Sequence, residues 1–196
     1  MLDGAAKISK LVAEAKRLDQ PAVAITDHGY LFGAYELYNE CQKAGIKPIV
    51  GLEAYLTPGT SRFDNTRVQW GTREQQAAGD DVSARGAYTH MTLLSRTTEG
   101  MHNLFRMASM GSIEGQMAKW PRIDRELIEK YSSGLIGFTG CPSSEVQTRL
   151  RLGQWEEAVR AAGEYQDIFG KENYFVELMD HGLDIERRVK KELLEL

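Results

Sequence analysis

Apolar residues recur at helical spacing near the start of the chain. Ile8, Leu11, Val12, Ala15 and Leu18 share one face, which predicts an amphipathic helix over about residues 5–18, ended by Pro21. The pattern then becomes a continuous apolar run, Ala22-Val23-Ala24-Ile25-Thr26, of the buried-strand type. Leu31 to Ala44 reads as a second helix with Gly45 placed to cap it, and Ile46 to Leu56 as a second strand closed by the Thr57-Pro58-Gly59 turn. Residues 60–86 lose all period and are rich in Arg, Asp, Gln, Gly and Ser, which predicts a long surface loop. Tyr88 to Ser95 is a third strand, followed by a helix over about 98–110 capped by Thr97 or Thr98. A short helix follows over Ile123 to Tyr131, then a fourth strand over Gly134 to Thr139. Ser143 or Ser144 caps a helix through Leu152, and another runs through Trp155, Val159, Ala162 and Phe169. Tyr174 to Met179 is a fifth strand, and Ile185, Val189, Leu193 and Leu196 form a last apolar face.

Strand and helix thus alternate about five times, which implies an α/β fold of parallel strands covered by helices, either a barrel or an open sheet. The chain starts on a helix with no strand before it and stops inside an amphipathic one, so the fold reads as incomplete at both ends. With 196 residues, 42% of them hydrophobic and 27% charged, the chain can bury one domain's core and is not disordered. The net charge of −4 argues against a primary nucleic-acid clamp and suits a binder of cations. No apolar run approaches the ~20 residues of a membrane helix, and the N-terminus has no signal-peptide core, so the expectation is a cytoplasmic protein without a membrane partner. Cys41 and Cys141 are not expected to pair in such a compartment; each is a ligand, a nucleophile or a small buried hydrophobe.

On parallel β/α folds, reactive groups gather at the carboxyl ends of strands. The first strand exits into Thr26-Asp27-His28-Gly29, the second carries Glu53 inside an apolar run, and the third carries His90. The fourth exits into Gly140-Cys141-Pro142 and the fifth into Asp180-His181-Gly182. Each has a structural alternative. His28 fits a turn, Asp27 and Asp180 fit helix caps, His90 fits a satisfied core histidine, and Cys141 fits a small hydrophobe. His102 falls on a helix and is expected to face solvent. Glu53 resists such a reading unless its strand position faces solvent, because a carboxylate buried without a partner costs several kcal/mol. As a set, Glu, His, His and Cys at strand positions point to a metal: imidazole and thiolate suit zinc, and carboxylate with imidazole also suits manganese or iron. A carboxylate shared between metals points to phosphoester hydrolysis by a metal-activated hydroxide. Phosphate-binding loops, dinucleotide turns, serine-nucleophile elbows and Cys-x-x-Cys pairs are all missing from the sequence.

Longer stretches carry a resemblance. Leu2-Asp3-Gly4-Ala5-Ala6, Ala24-Ile25-Thr26-Asp27-His28-Gly29, Gly45 to Glu53 and Glu177-Leu178-Met179-Asp180-His181-Gly182 are similar to the polymerase-and-histidinol-phosphatase (PHP) domains of bacterial replicative DNA polymerase III alpha subunits. Gly140 to Leu150, and the loop with Trp70-Gly71 and Asp80 to Ser83, resemble the actinobacterial branch in particular. The resemblance spans essentially residues 1–196 and implies a distorted (β/α)7 PHP barrel, here partial, with the downstream polymerase domains absent. It further implies a cluster of up to three divalent metal ions, zinc or manganese, and 3′–5′ exonuclease proofreading during DNA replication. Matched position by position, the implied ligands are Asp3, His28, Glu53, His90 and Cys141. Asp27 and His181 belong to family motifs but are not carried over as ligands. Glu53, His90 and Cys141 would complete one site, Asp3 and His28 would give part of a second, and a third would keep Glu53 alone.

The family's leading His-x-His pair and late Asp-x-His pair fall outside this sequence, so the chain is expected to be a fragment with little or no activity of its own. Its expected partners are a DNA 3′ end, the rest of the polymerase chain, and the sliding clamp with other replisome subunits. Two alternatives remain open from the sequence: a stand-alone phosphoesterase of a small phosphate monoester, and a non-catalytic scaffold for the polymerase.

Overall fold

A computed structural model describes residues 4–196. In chain order the elements are α1 (Ile8–Arg17), β1 (Ala22–His28), α2 (Ala34–Ala44), β2 (Lys47–Leu56), α3 (Arg73–Ala78), α4 (Ser83–Gly86), β3 (Thr89–Ser95), α5 (Thr98–Glu114), β4 (Gln116–Met117) and β5 (Trp120–Ile123). There follow α6 (Arg125–Tyr131), β6 (Leu135–Phe138), α7 (Glu145–Arg151), α8 (Trp155–Phe169), a 3-10 turn (Lys171–Asn173), β7 (Tyr174–Phe175), α9 (Asp184–Arg187) and α10 (Lys190–Glu195).

β2 is the centre of the sheet. β1 runs parallel beside it from Ala22↔Lys47 to His28↔Glu53, and β5 takes over that edge at Tyr55↔Arg122 and Leu56↔Ile123. On the other side β3 lies antiparallel to β2, β6 antiparallel to β3, and β7 parallel to β6. The sheet is therefore mixed, not parallel throughout as the alternation of elements implied. The reason lies between β2 and β3: residues 57–88 carry only two short helices and no helix that crosses back over the sheet, so β3 returns antiparallel. Among the described residues the strand order β4-β5-β2-β3-β6-β7 does not close on itself, so the architecture is a PHP barrel-like sheet left open.

Alternation along the strands sorts the two faces. Leu52, Ala54 and Leu56 of β2 and Met91 and Leu93 of β3 are buried against Leu104 and Met107 of α5, Ile128 of α6 and Phe169 of α8. A fully buried leucine contributes about 1.5–3 kcal/mol, so this face anchors the sheet. The intervening positions, Glu53 and Tyr55 on β2 and His90 and Thr92 on β3, are thereby forced onto the opposite face. α1 and α2 pack through Val12, Ala15, Leu37 and Cys41 under Ile46. Cys41 is a core residue whose thiol is pushed up by burial, and both cysteines are free. No helix among the described residues is long and apolar enough to cross a membrane.

Several boundaries differ from the sequence pattern. Residues 60–86 are not simply loop. Thr72 and Gln75 form a reciprocal cap on α3, and the buried Asp81 carboxylate accepts from the Trp70, Gly71 and Val82 amides. The β4–β5 hairpin escaped the pattern because its four-residue second strand contains Pro121 and the fully buried Arg122. The fifth expected strand pairs only at Tyr174–Phe175; beyond it, the Glu177 amide donates to the Thr139 hydroxyl at 2.8 Å instead of to a strand. The C-terminal apolar face is split between α9 and α10.

Gly29 makes the exit of β1 possible. Its φ is +70°, and a Cβ there would lie 2.7 Å from the Tyr55 ring and 2.9 Å from Pro121. Gly29→Ala is expected to destabilise the chain by about 1–3 kcal/mol, from left-handed strain together with displacement of Tyr55. Urea denaturation checks this; a midpoint equal to that of the parent would mean that the turn is looser than described.

Candidate metal centre

Three strands and one turn bring the donors together. His28 ends β1 directly beside Glu53, and the Gly29 amide donates to the Glu53 carbonyl at 2.8 Å, fixing the strand exit. His90 lies across from Tyr55, and Thr92 across from Glu53, on the same face. Cys141 comes from the turn after β6. That turn is pinned to β3 because the His90 amide donates to the Ser143 carbonyl at 3.0 Å and the Ser144 amide closes back on the Cys141 carbonyl at 2.8 Å. Ser144 also caps α7 by accepting from the Gln147 amide, so the helix start and the thiol position are set together.

Glu53 divides its carboxylate between two donor groups. Its Oε1 lies 3.0 Å from His90 Nδ1 and 3.6 Å from Cys141 Sγ, while His90 Nδ1 and Cys141 Sγ are 3.3 Å apart. Its Oε2 faces His28 Nδ1. Ligand atoms of His28, Glu53 and His90 all fall within 4.8 Å of one another. Burial alone would raise the Glu53 carboxyl, but the hydrogen bond and charge of His90, with His28 and the Cys141 thiol, outweigh it and hold the group below its ordinary value. The Cys141 thiol goes the other way: burial, and then the Glu53 charge, push it up to about 12. Without a cation the thiol is therefore neutral beside an ionised carboxylate.

These residues border a cavity of ≈ 400 Å³ whose remaining wall includes Thr92, Ser143, Glu177 and His181. His90 Nε2 and Glu177 Oε2 are buried there without a hydrogen-bond partner among the described residues. Desolvation by burial, together with the Glu53 charge, raises the Glu177 carboxyl. Two carboxylates, three imidazoles and a thiol in one cavity, with polar atoms left unmatched, are the donor chemistry of a divalent cation site, and the residues fit one. A larger apolar groove of ≈ 880 Å³, bordered by Phe32, Tyr35 and Phe105, lies between α2 and α5 and offers no group for this chemistry.

Of the five sequence-derived ligands, His28, Glu53, His90 and Cys141 come together; Asp3 lies outside the described residues. Asp27 accepts from the Gly33 amide at 2.9 Å; Gly33 is itself the N-cap of α2, which has no side-chain cap, so the expected Asp27 cap is not formed. His102 is exposed on α5, and Asp180 is exposed beside Lys190. Sequence reasoning passed over Glu177. The signal was the one that singled out Glu53: a carboxylate inside an apolar run, here Tyr174 to Met179.

The PHP domain family matches residues 1–181. Over its whole length the chain is 58% identical to DNA polymerase III subunit alpha of Mycobacterium tuberculosis (strain ATCC 25618 / H37Rv), covering 16% of that protein. It is 58% identical to the subunit of the same name from Saccharopolyspora erythraea, covering 17% of it. A more distant relative, DNA polymerase III subunit alpha of Deinococcus radiodurans, is 41% identical over 96% of this chain and 13% of its own. The chain thus spans about a sixth of the length of the first two of these curated relatives. The match over residues 1–181 and the donor set on β1, β2, β3 and the β6 exit agree, and the chain belongs to the PHP domain family.

Proposed function

We propose that this chain is the PHP segment of a replicative DNA polymerase III alpha subunit and provides the metal-binding part of a 3′–5′ exonuclease acting on a DNA 3′ end. The observation that carries the reading is the division of Glu53, with one oxygen toward His90 and Cys141 and the other toward His28, as a carboxylate shared by two neighbouring cation positions would be. The identity to alpha subunits supports the polymerase assignment. Bound divalent ions, zinc or manganese by donor type, would supply Lewis acidity toward a phosphodiester. The chain's own residues do the rest: Glu53 enters ionised, the two imidazoles present Nδ1, and Cys141 must give up its proton to become a ligand. Asp3 is proposed as a further ligand of the second position. The remaining polymerase domains and the sliding clamp are the proposed partners, in the cytoplasm. Taken alone, the chain is expected to have little or no nuclease activity, and appending the family's flanking His-x-His and Asp-x-His segments is expected to raise it sharply.

Elemental analysis of the purified chain tests the reading. About one metal ion per chain is expected, lost in His90→Ala, because removal of one of three ligands leaves an open, weak site. Equal metal content in the two proteins would remove the Glu53–His90–Cys141 site. A 3′-labelled oligonucleotide separates the chemistry: shortening from the 3′ end by the flank-extended chain supports the exonuclease. Release of phosphate from a small monoester without shortening would replace it with a phosphatase.

A further inference from the structure

Glu186 is buried, with its side chain 5% exposed, yet it grips an imidazole that is 70% exposed. His181 Nδ1 lies 2.7 Å from Glu186 Oε1, and Oε2 accepts from the His181 amide at 2.7 Å and the Leu183 amide at 3.4 Å. The hydrogen bond to His181 holds the Glu186 carboxyl below its ordinary value, so Glu186 is an acceptor and the proton between them belongs to Nδ1. Capping the turn into α9 requires only the backbone amides. Holding the ring as well fixes an exposed side chain, which loses rotamer freedom for little gain in burial. A carboxylate on one ring nitrogen is how proteins aim the other. His181 is among the residues that border the cavity of the metal centre, and of the three histidines there it is the one paired with Glu186 and not with Glu53. With Nδ1 held by Glu186, Nε2 is the ring nitrogen left to meet a ligand, and His181 borders a cavity that also holds the carboxylates of Glu53 and Glu177.

We propose that His181 is a substrate-contacting residue whose Nε2–H donates to a phosphoryl oxygen in this cavity, with Glu186 as its positioning residue. The inference deepens the phosphodiester reading above and rests on it. The test titrates the zinc-loaded chain with thymidine monophosphate at one pH held constant for parent and variants. Affinity is measured by calorimetry alongside zinc content. His181→Ala is expected to bind the nucleotide about tenfold more weakly with zinc content unchanged, the loss of one hydrogen bond to a charged group. Glu186→Gln, which leaves the ring but loosens it, is expected to fall between the two. His181→Phe keeps a ring without its nitrogens and gives the same comparison should the alanine variant not fold. Equal affinity in parent and variants overturns the proposal and leaves the function reading standing. Loss of zinc in His181→Ala overturns it by making His181 a ligand. A parent chain that holds zinc but binds no nucleotide overturns the phosphodiester reading, and this inference with it.

Discussion

Arg62→Ala is expected to destabilise the chain by about 3–5 kcal/mol, the cost of leaving a buried carboxylate without its cation. Arg62 is 7% exposed and sits among three acids. Its Nε donates to Glu114 at 2.6 Å, and one terminal nitrogen donates to both Asp124 oxygens at 3.0 and 3.1 Å and to Glu126 at 3.1 Å. Burial alone would lower this guanidinium's pKa, yet the surrounding carboxylates raise it well above its ordinary value. The Arg62 amide also donates to Asp124, which in turn caps α6 through the Leu127 amide. One residue therefore ties the start of the 60–86 segment to the ends of α5 and α6. Glu126 is largely exposed, so its share is small, and Asp124, itself buried, carries most of the loss. Urea midpoints of the parent, Arg62→Ala, Asp124→Ala and the double variant measure the coupling. A single-variant loss below about 1 kcal/mol would mean that water reaches the cluster and the segment is held elsewhere.

That cluster also marks where the sequence stops being legible. Periodicity sufficed wherever a face is apolar: α1, α2, α5 and α8 follow their apolar stripes, and β2 and β3 follow their buried alternation. Caps were readable because their chemistry is local. Gly45 sits at φ +71° after α2, and Ser144, one of the two serines weighed, caps α7. The 60–86 segment was not readable, because what holds it is polar and distant in sequence. Arg62 reaches Glu114 and Asp124, and Arg122 lies fully buried with donors on the Ala87 and Asp64 carbonyls. An arginine looks the same in sequence whether its partners are water or carbonyl groups. Strand direction was illegible for a related reason: antiparallel return of β3 depends on how residues 57–88 travel, and no local pattern records that. The site was more legible than the fold around it, because chemical type narrows the choice. Taken singly, His90 and Cys141 were ambiguous and only the set with Glu53 and His28 pointed to a metal; that Glu53, His90 and Cys141 meet within 3.6 Å depends on the β2–β3 register and on the Ser143–His90 backbone bond. His181 was noticed at a strand exit, but its pairing with Glu186, five residues on, is set by the turn into α9 and leaves no pattern in the sequence.

Metal uptake by the Glu53–His90–Cys141 set is expected to strengthen about tenfold per pH unit between pH 7 and 9, because one proton leaves for each ion bound. The sign follows from Cys141. Its thiol, raised to about 12, stays protonated throughout that range, whereas a metal takes the thiolate. At neutral pH, ionising it costs roughly 7 kcal/mol, counted at about 1.4 kcal/mol for each pKa unit above the solution, and the metal–sulfur bond must offset that. Every unit of added pH lowers the penalty by about 1.4 kcal/mol, a factor of ten in affinity, and every unit lost restores it. Glu53 adds nothing to the slope, since its carboxyl is held below the ordinary range and is already ionised. Cys141→Ala therefore has two expected effects: affinity for zinc falls at every pH in the range, and the slope flattens because no proton remains to be displaced. Competition against a chromophoric chelator at pH 7, 8 and 9 measures both at once. A steep slope that survives in Cys141→Ala would place the titrating group elsewhere and remove the thiolate from the ligand set. A flat parent would require a thiol already ionised beside Glu53, against both the burial and the charge that keep it neutral.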